Sequence, residues 1–163
     1  MIDIRNIQPN ESIAVDTTVK IAMSRGFDAY DAAIAVSGRL KNAGESFVLD
    51  AQGVCPMVTM CSRCLQPVKH QLSFRINESF VEEEEEGAVL GDGEDIRFLD
   101  KTIDIFPAVQ RNFFPNIPMK PLCGADCAGL CQRCGKNLNE GNCDCEGEVV
   151  NEQFRELLQF FDD

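Results

Sequence analysis

The sequence has no tryptophan, a single tyrosine (Tyr30) and a single histidine (His70) in 163 residues, so aromatic packing falls to eleven phenylalanines. One histidine leaves little material for acid–base catalysis or for an open zinc site with imidazole ligands, and His70 reads as a surface residue of a strand. A phosphate-cradling glycine loop and a GxGxxG fingerprint are missing, as is any Ser, His and Asp economy from which to build a nucleophile. No enzyme and no small-molecule substrate are therefore expected. Long apolar runs are missing too: nothing approaches the ~18 residues of a spanning helix. The opening MIDIRNIQPN has no basic segment followed by an apolar one, so it does not read as a secretory signal. These absences point to the cytoplasm, away from membranes, where thiols stay reduced.

Cysteine is plentiful. There are nine, and the odd number would leave one over from a complete set of internal bridges. Eight sort into close pairs: Cys61/Cys64 and Cys131/Cys134 (C-x2-C), Cys123/Cys127 (C-x3-C) and Cys143/Cys145 (C-x-C). Cys55 stands alone in an apolar stretch and reads as a small buried hydrophobe. Tetrahedral zinc takes four thiolates, and two ligands a few residues apart fit on one tight turn. In CQRCGKNL the glycine after the second cysteine lets the chain take positive φ, so that backbone N–H groups turn toward the sulfurs. CSRCL repeats the turn without the glycine. The economical arrangement joins Cys131, Cys134, Cys143 and Cys145 locally, and Cys61, Cys64, Cys123 and Cys127 across about sixty residues, where a cross-link restrains the unfolded chain most. Other ways of joining the pairs remain open, as does the number of zinc ions, one or two. Iron–sulfur ligation fits poorly, because the characteristic spacings are missing. A thioredoxin-like role lacks its βαβ setting.

Net charge is −12, but it is unevenly spread. Residues 78–104 hold eleven of the twenty-seven acids, residues 51–77 hold none, and residues 105–139 hold only Asp126. Arg63, Lys69, Arg111, Lys120, Arg133 and Lys136 make the cysteine-bearing segments locally positive and are the candidate partner-binding residues. Eight thiolates against two dications would take the total to roughly −16, so naked RNA is a poorer match than a ribonucleoprotein or a basic protein.

Along the chain, SIAVDTTVKI (apart from the polar pair at 17–18) and residues 72–77 of VKHQLSFRINESF alternate apolar and polar residues, the period of half-buried strands. AIAVSGRL and SFVLDAQGV are strand-like, and PMVTM leads into CSRC. Asn42 and Gly44 suit a hairpin turn, and Cys61-x-x-Cys64 falls at a hairpin tip. VEEEEEGAVLGDGED reads as a solvated loop. Residues 96–105 read as a strand leading into a helix with Asp104 as N-cap and Phe106, Val109 and Phe113 on one face. NEQFRELLQFFDD reads as an amphipathic helix through Phe154, Leu157, Leu158 and Phe161. The expected fold is α+β: an antiparallel β-sheet with one mid-chain helix, a Cys-rich zinc-knuckle region and a C-terminal amphipathic helix. The expected organisation is 1–81 as the antiparallel β region with the C-x2-C hairpin, 82–95 as the acidic flexible loop, and 96–163 as strand–helix, Cys-rich zinc-binding region and C-terminal helix packed as a single domain.

In its order of motifs the chain resembles the YceD family of large ribosomal RNA subunit accumulation proteins. The resemblance is carried by VSGRLKNAG at 36–44, MCSRCLQPV at 60–68, the acidic loop, IDIFPAVQRNFFPNIP at 103–118, LCGADCAGLCQRCGKNLNEGNCDC at 122–145 and the terminal NEQFRELLQFF. All four cysteine pairs fall on family positions, while Cys55 lies outside them. The resemblance implies a non-enzymatic factor for large-subunit ribosomal RNA accumulation and ribosome assembly, with the pre-ribosomal large subunit (rRNA, ribosomal protein or both) as partner. The alternative reading of the thiols is a zinc–thiolate redox-sensing regulatory protein.

Overall fold

The structure is a computed structural model that describes residues 1–25, 28–82 and 95–145. The chain forms two compact units, residues 1–58 with 69–119, and, among the described residues, 59–68 with 120–145.

The first unit is built on long strands. After the short β1 (Ile2–Asp3) come β2 (Ser12–Arg25), β3 (Asp28–Asn42), β4 (Ser46–Met60) and β5 (Pro67–Glu82), followed by β6 (Ile96–Phe98), β7 (Thr102–Ile103) and the helix α1 (Phe106–Phe113). The main sheet runs β2-β3-β4-β5-β6, and β1 pairs with β7 in a separate two-stranded sheet. β2 and β3 pair antiparallel in unbroken register, Val15 opposite Gly38 and Val19 opposite Ile34. The period-2 pattern explains the core. Val15 and Ile21 from β2, Ile34, Val36 and Leu40 from β3, Leu49 and Cys55 from β4, and Phe74, Ile76 and Phe80 from β5 are all buried on one face. Cys55 is fully buried, and that burial pushes its thiol pKa up.

The turn between β3 and β4 shows how short polar residues set register. The Gly44 N–H donates to Asn42 Oδ1 at 2.9 Å, and Asn42 Nδ2 donates to the Ile7 carbonyl at 3.0 Å, so a buried amide is satisfied while it closes the turn.

Three expectations are corrected. The fold is mostly β, not α+β: among the described residues the only helix besides one 3-10 turn at Phe114–Asn116 is the eight-residue α1. The apolar alternation extends further than the separate strand segments suggested, so the pieces on either side of Cys55 join into one fifteen-residue strand, with Pro56 exposed. The sheet is also mixed rather than antiparallel, because β6 lies parallel to β5 with Phe80 opposite Ile96. A three-residue strand carries no sequence mark of direction; direction comes from the connection that leads to it. The expected C-terminal helix, and residues 83–94 of the acidic segment, lie outside the described residues.

At α1 the cap stands one residue later than expected. Ile105 occupies the N-cap position, and Asp104 Oδ1 accepts the Phe106 N–H at 2.9 Å. Ala108, Val109 and Phe113 are buried, whereas Phe106, placed by periodicity on the apolar face, is 36% exposed. Pro107 sits in the first turn, where a missing N–H leaves no intrahelical bond unmade.

Candidate metal centres

The second unit begins with two turns that are hydrogen-bonded alike. In the first, the Cys61 N–H donates to the Gln66 carbonyl at 2.8 Å and the Leu65 N–H to the Cys61 carbonyl at 3.0 Å. In the second, the Cys131 N–H donates to the Lys136 carbonyl at 2.8 Å and the Gly135 N–H to the Cys131 carbonyl at 2.9 Å. The arginine between the cysteines repeats as well: the Arg63 N–H points at Cys61 Sγ (3.5 Å) and the Arg133 N–H at Cys131 Sγ (3.4 Å). Both turns need a left-handed residue after the second cysteine. Gly135 takes φ +73° without a Cβ to strain, while Leu65 takes φ +58° and stands 58% exposed.

Each turn presents two sulfurs to another pair. The sulfurs of Cys61, Cys64, Cys123 and Cys127 lie within 4.8 Å of one another, and so do those of Cys131, Cys134, Cys143 and Cys145. Cys61 Sγ is 3.8 Å from Cys127 Sγ, and Cys64 Sγ is 3.6 Å from Cys123 Sγ. These separations are too long for disulfides, and all nine cysteines are free. Four sulfurs each ~2.3 Å from a central cation would stand ~3.8 Å apart, so the donor set and its spacing fit a tetrahedral ion. Either group could hold a metal ion. Four pairs can be joined in three ways, and the structure adopts the combination of one local group and one long-range group.

The surroundings differ. In the first group Cys61, Cys64 and Cys127 are buried, with Val68 and Leu130 packed against them. In the second, Cys134 is exposed and its three partners are half-buried.

Local hydrogen bonds push individual thiols in opposite directions. Backbone N–H groups of Cys64, Arg63 and Cys123 hold the Cys61 pKa down to about 6 against the cost of desolvation, and those of Cys134 and Arg133 do the same for Cys131, also to about 6. The Asn139 side-chain amide is the main influence lowering Cys127. Cys123 and Cys145 are pushed up to about 12, chiefly by thiol hydrogen bonds to neighbouring sulfurs (Cys127 and Cys64 for the first, Cys134 for the second) that hold their protons, with desolvation adding to the shift and charge repulsion contributing least. Each group thus holds a thiol whose ionised form is favoured by its N–H donors, Cys61 in the first and Cys131 in the second, as a thiolate ligand requires.

A small hairpin links the two groups. The Leu130–Asn137 bridge, the Leu138 N–H to Gly129 carbonyl bond (2.9 Å) and the Cys131–Lys136 bond form its ladder, with the second turn at its tip. At its base the Ala128 N–H donates to Asn139 Oδ1 at 2.8 Å, beside Cys127. Sequence reasoning misses Asn139. Its only mark there is the KNLNEGN run between two cysteine pairs, which reads as ordinary turn composition.

The candidate partner-binding residues fall in both units. Lys69 and Lys120 are exposed. Arg111, in the first unit, pairs with Glu78 at 3.0 Å. In the second unit Arg63 Nη1 donates to the Cys127 carbonyl at 2.8 Å, Lys136 Nζ donates to the Asn142 carbonyl at 2.7 Å, and Arg133 is exposed. Arg63 and Lys136 are therefore also engaged in holding the thiol-bearing segments. His70, expected at the surface, is half-buried, and its Nε2 has no hydrogen-bond partner among the described residues. No helix among the described residues is long and apolar enough to cross a membrane.

Comparison with known proteins adds a family. A family model described as "Large ribosomal RNA subunit accumulation protein YceD" matches residues 49–161. Uncharacterized proteins of Mycobacterium tuberculosis and Mycobacterium bovis are each 28% identical over 101 residues, which is 61% of this chain and 49% of theirs. One from Mycobacterium leprae is 26% identical over 136 residues, 80% of this chain and 63% of its own. The chain thus spans about half the length of the first of the curated relatives it matches. No solved structure matches it.

Proposed function

The chain belongs to the family of large ribosomal RNA subunit accumulation proteins named YceD, and from that premise we propose that it is a non-enzymatic, zinc-binding cytoplasmic factor that assists large-subunit ribosomal RNA accumulation by contacting the pre-ribosomal large subunit. The observation that carries the zinc half of this reading is the pair of four-sulfur groups, each within 4.8 Å. Thiolate-only sets suit zinc, and a cation held by four of them has no open position for substrate, so its contribution is to shape. The ribosomal half rests on the family. In this reading Arg63, Lys69, Arg111, Lys120, Arg133 and Lys136 contribute the basic contacts of an otherwise acidic protein.

Metal analysis of the purified chain tests the first half, with two zinc ions per chain expected; iron with acid-labile sulfide, or no metal, would overturn it. Co-sedimentation with large-subunit precursors across a salt series tests the second. Association should weaken as salt rises, and charge reversal at Arg133 should flatten that dependence. Failure to co-sediment at low salt would remove the ribosomal half.

The exposure of Cys134 favours a second reading, a zinc–thiolate redox sensor, because an exposed thiolate is open to oxidation. Mild peroxide separates the two. A sensor ejects zinc and changes its binding, whereas an assembly factor keeps its binding.

A further inference from the structure

The hairpin between the thiol groups does more than connect them. The side chain of Asn139, which lies between the two cysteine pairs of the second group, reaches a ligand of the first: Nδ2 donates to Cys127 Sγ at 3.4 Å. Its orientation is determined by its other bonds. Oδ1 must face the Ala128 N–H that donates to it at 2.8 Å, and Nδ2 also donates to Asn137 Oδ1 at 2.7 Å, so the amide nitrogen and not the oxygen is turned to the sulfur. Leu130, on the same hairpin, packs against the buried sulfurs of the first group. Gly129 takes φ +77° beside the Arg63 carbonyl, where an added Cβ would come within 3.2 Å of that oxygen.

The second group is a clasp on this hairpin. Cys131 and Cys134 sit at its tip, and Cys143 and Cys145 lie on the segment that leaves it. Closing the four around a cation restrains residues 131–145 and with them Asn139. An N–H···S bond withdraws charge from a ligating thiolate and fixes its direction, and partners of this kind are worth about 10-fold or more in metal affinity.

We propose that Asn139 is a positioning residue through which occupancy of the local thiol group strengthens the hold of the long-range group on its own ion. Linkage makes the effect reciprocal: each site tightens the other by the same factor. The proposal rests on the reading that both groups bind a divalent ion.

The test uses the 163-residue chain loaded with zinc, measuring transfer of the first group's ion to a competing chelator. Four forms are compared: unaltered, Asn139→Leu, Cys143→Ser with Cys145→Ser, and all three changes together. Asn139→Leu should still carry two ions at saturation, but should release the first group's ion about 10-fold more readily. The double serine form should show a similar weakening at the first group although it touches none of its ligands, and adding Asn139→Leu to it should change little further. Unchanged retention in Asn139→Leu, or strictly additive effects, overturns the proposal. A variant-free measurement stands beside these: with 113Cd in both groups, a scalar coupling between the Asn139 side-chain amide proton and the first group's cadmium is expected, and its absence overturns the proposal even if the leucine variant does not fold. Fewer than two ions on the unaltered chain is a different result, for it removes the metal reading itself.

Discussion

The turns at 61–66 and 131–136 make the same three kinds of hydrogen bond, yet one sits among buried sulfurs and the other at the surface. The turn is a local object, set by two cysteines, the arginine between them and a left-handed residue. What each turn does for the fold depends on the pair it meets. Cys61 and Cys64 meet Cys123 and Cys127 from roughly sixty residues away, a closure that on chain-entropy grounds restrains the unfolded state by about 4 kcal/mol; Cys131 and Cys134 meet Cys143 and Cys145 within fifteen residues, worth about 3 kcal/mol on the same grounds. The first group is therefore placed to hold distant segments together, and the second to hold a hairpin.

The largest expected effect is metal removal. Chelation at neutral pH should abolish hydrogen-exchange protection in 59–68 and 120–145, because the second unit's only buried cluster among the described residues is the sulfur set with Val68 and Leu130. Protection in β2, β3 and β4 up to residue 57 should persist, since those strands bury a core of their own. Uniform loss across both units would break the distinction between them.

Cutting one ligand from each group sharpens it. Cys64→Ser and Cys134→Ser should each lose one zinc by metal analysis. Cys64→Ser should lower the midpoint of thermal unfolding of the second unit further, since it leaves buried thiolates without their cation and opens the longer loop. Equal midpoints would mean that burial and loop length do not matter here.

Acid tests the likeness instead of the difference. Cys61 and Cys131 are both held to about 6, below the ordinary thiol value of 9.0. A group whose folded pKa is depressed contributes stability at high pH and loses it as pH falls through the folded value. Both groups should therefore begin to lose apparent affinity for a divalent ion as pH drops through the region of 6, where protons start to compete for Cys61 and Cys131, followed with a chromogenic chelator across a pH series. Release curves separated by several pH units would show that the matched N–H···S bonds do not govern both sites.

The smallest effect is at the left-handed position. Leu65→Gly should stabilise the first turn by up to about 1 kcal/mol, and Gly135→Leu should destabilise the second by about 1–2 kcal/mol, both read from chemical denaturation of the metal-loaded chain. Changes of the same sign at both positions would end the equivalence of the turns.

Several of these features are legible in the order of residues alone. The Asn42–Gly44 turn, the inward faces of β4 and β5 and the positive φ at Gly135 follow from neighbours a few residues apart. Phe106 shows where that reasoning stops. It satisfies the helical period, but a helix of eight residues buries only the arc that its neighbours cover, and that arc is centred on Ala108, Val109 and Phe113. β6 shows the same limit in a strand, since three residues have a period but no direction until β5 supplies one.

By itself the sequence determined the alternating strands, the four cysteine pairs and the tight turns that present them, because each depends on steric preferences within a handful of bonds. The tertiary structure singled out, among the ways of joining the pairs that spacing left open, the economical one. It alone decided which group is the more buried, that β6 runs parallel, and that an asparagine from one group's loop reaches the other's sulfur. Those outcomes depend on where chain segments tens of residues apart are brought by packing and hydrogen bonding, and such placement leaves no mark in local spacing.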